Sequence, residues 1–502
     1  MITNDLLQAI SRNSPDQIAL RGTDSSLTYA ELNTAVSHQT EMWAAQTAAS
    51  TTKHPTMALA VENHPAWIVL DLAAMACNRP LVPLPFFFSP SQWLHAMQNA
   101  GVSILVTDQP QLFEPLLATN ILTSSQFELA GKTLTQFALR NFDQVTLPHN
   151  TAKITYTSGT TGNPKGVCLS NENMLNVAKA IAAATTVSST DTHLSVLPLA
   201  TLLENVAGVY ATLLAGASCH LLPNHEIGLS GATGLDIKKL LATLKLTQAS
   251  TAIFTPELLH ALVVCIEAGA DASDYLRFLA VGGASVSPAL LERARKLKIP
   301  VYEGYGLSEC ASVVALNVPL GNKIGTVGKP LPHINVSFTE EQEIVVNGNA
   351  YLGYVGQEQA QLNSVHTGDI GELDQDGYLI ITGRKKNIFI TSFGRNVSPE
   401  WVERELKITP CIAQAALFGE AKPWNVAVIV PRQAATDEQV DDAIHALNNR
   451  LPDYARISRW VRADAPFSTK NQQLTSNGRN RRDVILQHYQ NQINALYEGK
   501  SA

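Results

Sequence analysis

The residues able to do chemistry gather in four short strings. The first, Tyr156 to Gly166 (YTSGTTGNPKG), sets the hydroxyls of Thr157, Ser158, Thr160 and Thr161 among Gly159, Gly162 and Gly166, with Lys165 near its end. Glycines let backbone N–H groups approach a polyanion, hydroxyls add donors and the lysine adds a cation, so the string reads as a phosphate cradle. It is not a P-loop, which needs Gly-Lys followed by Ser or Thr at a helix start. Here Lys165 follows Pro164 and precedes Gly166, which argues for a mobile loop that grips phosphates and then releases them. A hairpin turn would explain Gly-Thr-Thr-Gly alone, but not the whole string.

The second string, Glu303 to Glu309 (EGYGLSE), follows Val281 to Ser285 (VGGAS). An aromatic after a tight glycine turn can stack on a purine, and a carboxylate four residues on can hold a metal that bridges phosphates. Alone, Tyr305 reads as a core aromatic and Glu309 as a solvated carboxylate. The third string is Thr367, Gly368 and Asp369, with Arg384 downstream. A carboxylate can accept from both ribose hydroxyls, while a guanidinium donates and stays charged; Thr-Gly-Asp by itself is a common turn. The fourth is Leu474 to Arg482 (LTSNGRNRR), which carries Arg479, with Arg481 and Arg482 after it.

The elements that must carry these strings follow from the apolar pattern. Lys153 to Tyr156 alternates like a strand feeding the first string. Strand-like Met57 to Val61, Leu81 to Leu84 and Ser103 to Val106 alternate with helix-like Trp67 to Cys77 and Ser91 to Asn99. The same alternation recurs at Ile237 to Leu246 with Ala252 to Phe254, and at Ala289 to Leu297 with Val301 to Glu303. It predicts an α/β fold layered around a mainly parallel sheet. After Gly353 the composition shifts to strands between Gly and Asp turns: Glu343 to Val346, Tyr378 to Thr382 and Ile388 to Thr391.

With 502 residues, 45% hydrophobic and 16% charged, the chain can form two or more domains. A net charge of -7 without a basic cluster argues against nucleic acid as a partner. Cys77, Cys168, Cys219, Cys265, Cys310 and Cys411 form no Cys-x-x-Cys pair, which suits a reducing compartment with no disulfide or zinc framework. Asn4 and Asp5 stand where a secretory leader would be basic. The stretch Val206 to Leu222 reads as a buried helix followed by a strand rather than a membrane span. A cytoplasmic location is therefore expected.

Taken together and in this order, the strings resemble those of the adenylate-forming (AMP-binding) enzymes, most closely the fatty acyl-CoA synthetases. The resemblance runs from about Leu27 to Arg482. It implies a large N-terminal domain of layered sheets and helices, residues 1–383. A small mobile α+β C-terminal domain, residues 384–502, would rotate about a hinge at Lys386. By resemblance Tyr305 packs on adenine, Gly283 and Ala284 line the nucleotide and acyl sites, Ser308 faces the α-phosphate and Glu309 orients Mg²⁺. Glu303 and Gly306 belong to the same nucleotide set, Asp369 and Arg384 take the ribose, and Gly394 in Ser392 to Asn396 (SFGRN) lets a pantetheine arm pass. Lys165, Glu309 and Arg479 are the implied catalytic residues.

Two positions depart from the family pattern. In Leu197 to Glu204 (LPLATLLE), Thr201 stands where fatty acyl-CoA synthetases have histidine, so it is a candidate specificity residue or simply a helix cap near Pro198. Arg479 stands where a lysine usually holds the acyl carboxylate and α-phosphate. Either Arg479 does the lysine's work, or nearby Lys470 does, or adenylation is impaired; arginine's wider planar fork makes the exchange non-conservative.

The implied function is ATP-dependent activation of a carboxylic acid, a fatty acid by resemblance, to an acyl-adenylate. Transfer to the thiol of CoA would follow. Loading of an acyl carrier protein through its phosphopantetheine arm, or a weakened nucleotide-binding relative, are the alternatives. Amino-acid activation is disfavoured, because the family's amine-binding aspartate has no counterpart after Pro198. The resemblance fits a monomer or a homodimer.

Overall fold

The computed structural model describes residues 5–48, 55–140, 142, 145–157, 164–230, 234–271, 274–357, 363–432, 435–475 and 478–498. Ser158, Gly159, Thr160 and Thr161 lie outside them.

Two large sheets form the first layers. Among the described residues one has nine strands, with Val301–Tyr305, Phe278–Val281, Thr251–Phe254, Thr192–Leu194, Ser218–His220 and Ile18–Arg21 running parallel through its middle. The other has eight, with Lys153–Thr157, Leu81–Pro83, Thr56–Ala60 and Val102–Thr107 parallel at its centre. The expected alternation is therefore present: each run of β-branched residues is a central strand and each Ala/Leu-rich stretch a covering helix.

Helix Pro65–Ala76 shows why the layers close. Eleven of its positions are buried from Pro65 to Met75, all apolar except Asp71, whose carboxylate is paired with buried Lys153 at 2.9 Å, so the helix belongs between sheets rather than on a surface. Helices Tyr29–Ala48 and Asn171–Ala184 share its core with Trp43, Trp67 and Tyr210.

Strands Asn335–Phe338, Glu343–Asn347, Ser364–Leu373 and Leu379–Arg384 make one antiparallel sheet spanning the compositional shift after Gly353. Beyond it, Ile412–Phe418, Asn425–Pro431 and Ile457–Arg462 form a three-stranded sheet with its own core on each face. Along Asn425–Pro431, Ala427 and Ile429 point to one core and Val426, Val428 and Val430 to the other, as the two-residue period of a strand requires. The fold is thus mixed α/β, with a large N-terminal domain and a smaller C-terminal one. Among the described residues no helix is long and apolar enough to cross a membrane.

Val206 to Leu222 is helical and then extended, as its composition predicts, but with an unforeseen geometry. Leu203–Tyr210 is a π-helix, continued by α-helix Ala211–Leu214 and strand Ser218–His220. Such wide turns concentrate at functional sites because they displace side chains from the regular helical face.

Candidate functional site

The strings converge on one cavity of about 3090 Å³ between the two domains. Its lining includes Lys165, Thr201, Gly283, Ala284, Glu303, Tyr305, Gly306, Ser308, Glu309, Asp369, Arg384 and Arg479.

Strand Lys153–Thr157 pairs antiparallel with Lys165–Leu169, Thr157 opposite Lys165. Lys165 is therefore the first residue of a strand, not part of the connecting loop, and its exposed side chain has a fixed base. Its Nζ stands 5.2 Å from the ring centroid of Tyr354, a cation–π distance. Tyr354 Oη donates to Glu309 Oε1 at 2.9 Å. Lys165, Tyr354 and Glu309 thus form a continuous chain of contacts from the candidate phosphate-binding string to the candidate metal ligand. Tyr354 carries no motif in the sequence; pairing of Gly353–Tyr354 with Lys165–Leu169 brings it there.

Glu309 sits on the 3₁₀ turn Ser308–Cys310, not on a helix face. Glycine is obligatory just before this turn. A Cβ on Gly306 would lie 1.6 Å from the Ser312 carbonyl oxygen, so chain folds back on chain there. A single carboxylate that shares its metal with substrate phosphates is the usual donor set for Mg²⁺, and Glu309 fits it.

Asp369 accepts from two sides. Arg384 Nε donates to Oδ1 at 2.7 Å and Tyr305 Oη to Oδ2 at 2.6 Å. Burial and the adjacent Asp369 charge push the Tyr305 phenol well above its ordinary range, so it remains a donor. The carboxylate that the sequence assigns to ribose and the aromatic it assigns to adenine are therefore tied to each other, a link that spacing does not reveal.

Glu303 lies beneath this group, 6% exposed, accepting from Val286 N–H at 3.2 Å. Burial pushes its carboxyl up to about 7, opposed by that N–H and by Arg404. It anchors the segment Gly283 to Ser287, in which Gly283 adopts φ +82° with open space where a Cβ would stand.

Arg479 crosses from the small domain, its Nη2 donating to the Gly283 carbonyl at 3.1 Å. Surrounding protein, and then Arg384, push its guanidinium down from the ordinary value while Asp369 opposes them. Its side chain nevertheless stays in contact with solvent, and a guanidinium keeps its charge in such a wet cleft. Lys470 is exposed and outside the cavity lining.

Thr201 lines the cavity, but its hydroxyl is committed to the Pro198 carbonyl at 2.7 Å, just before the π-helix. Behind it, His193 and Glu204 are joined Nε2 to Oε1 at 2.7 Å, and His193 Nδ1 reaches Thr251 Oγ1 at 2.9 Å. Gly394 is not among the cavity residues. It stands at φ +70° on the tip between Phe389–Ile390 and Asn396–Val397, beside Phe393, which is 75% exposed.

Known proteins share this architecture. The AMP-binding enzyme family model matches residues 7–355, and that of the AMP-binding enzyme C-terminal domain matches residues 386–501. The chain is 28% identical to the long-chain-fatty-acid–CoA ligase FadD15 of Mycobacterium bovis, with 86% of each chain covered. It is 26% identical to the oxalate–CoA ligase of Arabidopsis thaliana, covering 96% of this chain and 98% of the other. The structure of O-succinylbenzoate coenzyme A synthetase from Bacillus subtilis in complex with AMP superposes with a TM-score of 0.75 at 23% identity, over 96% and 97% of the two chains; this last likeness is one of fold. Because the family model covers most of the sequence, this chain belongs to the AMP-binding enzyme family.

Proposed function

We propose that the protein is an AMP-forming acid–thiol ligase that activates a monocarboxylic acid with an apolar tail, a fatty acid, and transfers it to CoA. The observation carrying the choice of acid is the cavity wall below the π-helix. Ile181, Val187, Leu203, Ala207, Ala211, Phe278 and Ala280 line it, and the alanines leave width for a chain. Among the described residues before position 384, Lys165 at the phosphate end is the one Lys or Arg in the lining. On this side a second carboxylate, such as a diacid would bring, meets only histidines: His193, already held by Glu204 and Thr251, His225, 4.0 Å from Glu226, and His260, which burial pushes below its ordinary value and so toward the neutral form. CoA as acceptor is supported by the CoA ligases among the relatives.

In this reading the acid's carboxylate attacks the α-phosphorus of ATP in line and pyrophosphate leaves. The carboxylate is already ionised near neutrality, so no base is required. The obstacle is repulsion between anions, and preorganised cations and donors lower it. Lys165 and the hydroxyl loop neutralise the departing phosphates, Arg479 meets the α-phosphate and carboxylate, and Asp369 with Arg384 holds the ribose. Glu309 would hold Mg²⁺, which would supply positive charge against the phosphates. The small domain, residues 384–502 hinged at Lys386, would then turn the tip around Gly394 toward the site, and a thiol would displace AMP to leave a thioester.

The test is AMP and pyrophosphate release with ATP, Mg²⁺, CoA and a panel of acids. Turnover with aliphatic monocarboxylates and none with oxalate or succinylbenzoate supports the reading; preference for a diacid sinks it. Acyl-adenylate that forms but never passes to CoA would make a carrier protein the acceptor.

A further inference from the structure

Three small-domain contacts with the large domain fall on one five-residue segment. Arg479 reaches the Gly283 carbonyl, Arg404 Nη1 donates to Ser285 Oγ, and Ser287 Oγ donates to Glu405 Oε1 at 3.3 Å. Arg404 Nε also reaches Glu405 Oε1 at 3.4 Å, which closes a ring of Ser285, Arg404, Glu405 and Ser287. Arg404 and Glu405 are neighbours on helix Pro399–Lys407, with side chains 21% and 13% exposed. From below, Glu303 holds the same segment through Val286 N–H. The segment is therefore gripped from both sides beside the point where Arg479 enters.

We propose that Arg404 and Glu405 are positioning residues for the adenylation step. They seat the small domain on Gly283 to Ser287 so that Arg479 meets the α-phosphate and carboxylate. The inference rests on the ligase reading above. The clamp is made of hydroxyls and charges rather than apolar packing, so it fixes orientation more than it adds stability. A cation displaced by about 1 Å from developing charge loses on the order of a hundredfold in rate. Arg479 offsets repulsion between two anions, and that repulsion ends once the acyl-adenylate exists. Loosening the clamp therefore weakens the first half-reaction selectively.

The experiment measures both halves separately: acid-dependent pyrophosphate release, and thioester formation from preformed acyl-adenylate and CoA. In Arg404→Ala, pyrophosphate release at saturating substrates falls about tenfold or more, while thioester formation changes less than about twofold. Arg404→Lys, which keeps the charge but not the fork, recovers part of the loss. The double variant Arg404→Ala with Ser285→Ala is no slower than Arg404→Ala alone, because both remove one contact. Equal loss in both halves would mean a merely structural role, and no change in either would mean no role; each overturns the proposal. If the wild type itself releases no pyrophosphate with any acid, the ligase reading falls and the clamp with it. If the wild type turns over normally and Arg404→Ala behaves like it, only the clamp falls.

Discussion

Asp369 and Arg384 face each other as register partners on antiparallel strands Ser364–Leu373 and Leu379–Arg384, and the side-chain bond between them is 2.7 Å long. Fifteen residues apart in sequence, they are held by the sheet itself. The same carboxylate takes the Tyr305 hydroxyl, so one buried group ties together the positions that the proposed function gives to ribose and adenine. A loss there is felt in nucleotide affinity before it is felt in chemistry.

Asp369→Asn keeps the shape but removes the charge that Arg384 and the ribose hydroxyls address. Hydrogen bonds to charged groups contribute about 1.5–3 kcal/mol each, so KM for ATP should rise about 10- to 100-fold. The acid's KM should move far less. Titration of ATP against initial rate checks this, and an unchanged ATP KM would remove Asp369 from the nucleotide site.

Arg479→Ala and Lys470→Ala separate the two candidate cations. Loss of one preorganised charge from a transition state costs about 10²- to 10³-fold in rate. That loss is expected in pyrophosphate release for Arg479→Ala and not for Lys470→Ala, since Lys470 lies outside the cavity lining. Arg479→Lys restores a usable cation and should regain much of the rate. The reverse ranking would assign the work to Lys470.

Tyr354→Phe keeps the ring beneath Lys165 and deletes the hydroxyl that Glu309 accepts. The carboxylate then loses its orientation rather than its charge, and outer partners of a metal ligand typically matter by about 10-fold or more. The expected signature is a higher Mg²⁺ concentration for half-maximal rate, with ATP affinity in excess Mg²⁺ nearly unchanged. A Mg²⁺ titration of wild type, Tyr354→Phe and Glu309→Gln tests the order, with the last most affected.

Glu303 gives a pH dependence. Its carboxyl is raised to about 7 in the fold, chiefly by burial, against an unfolded value of about 4.3. Between these values the folded state holds a proton that the unfolded state has lost, so its contribution to stability is full below about pH 4.3 and declines up to about pH 7. Glu303→Gln keeps an acceptor for Val286 N–H and removes the titration. Its melting temperature relative to wild type should therefore rise with pH across that window and level off above it. The free-energy span is at most about 4 kcal/mol. Calorimetry at several pH values checks it, and parallel curves would refute it.

A bulky residue in the acid wall should shorten the acids accepted. Ala207→Phe places a ring where the π-helix faces the cavity. Long-chain acids should lose about tenfold or more in kcat/KM, while short ones are little affected, because overfilling a packed pocket costs about 1–3 kcal/mol. Uniform loss across chain length would place the acid elsewhere.

The sequence by itself determined which elements exist and most of what they carry. Alternating β-branched and Ala/Leu-rich runs placed helix Ile237–Leu246 and the neighbouring parallel strands, because period and composition are local properties. Residue type offered Asp369 and Arg384 as candidates for a ribose, and the resemblance of the ordered strings added Glu309 and Arg479 as candidates for a metal and an oxyanion. Only the tertiary structure decided how they meet. Tyr354 reaches Glu309 through an edge-strand pairing, Tyr305 joins Asp369 across 64 positions, and Arg404 finds Ser285 across 119. The π-helical turn at Leu203–Tyr210 and the shift of Glu303 toward neutrality arose the same way. Helical hydrogen-bond slippage and desolvation depend on what packs around a residue, and a linear pattern of residue types does not contain that information.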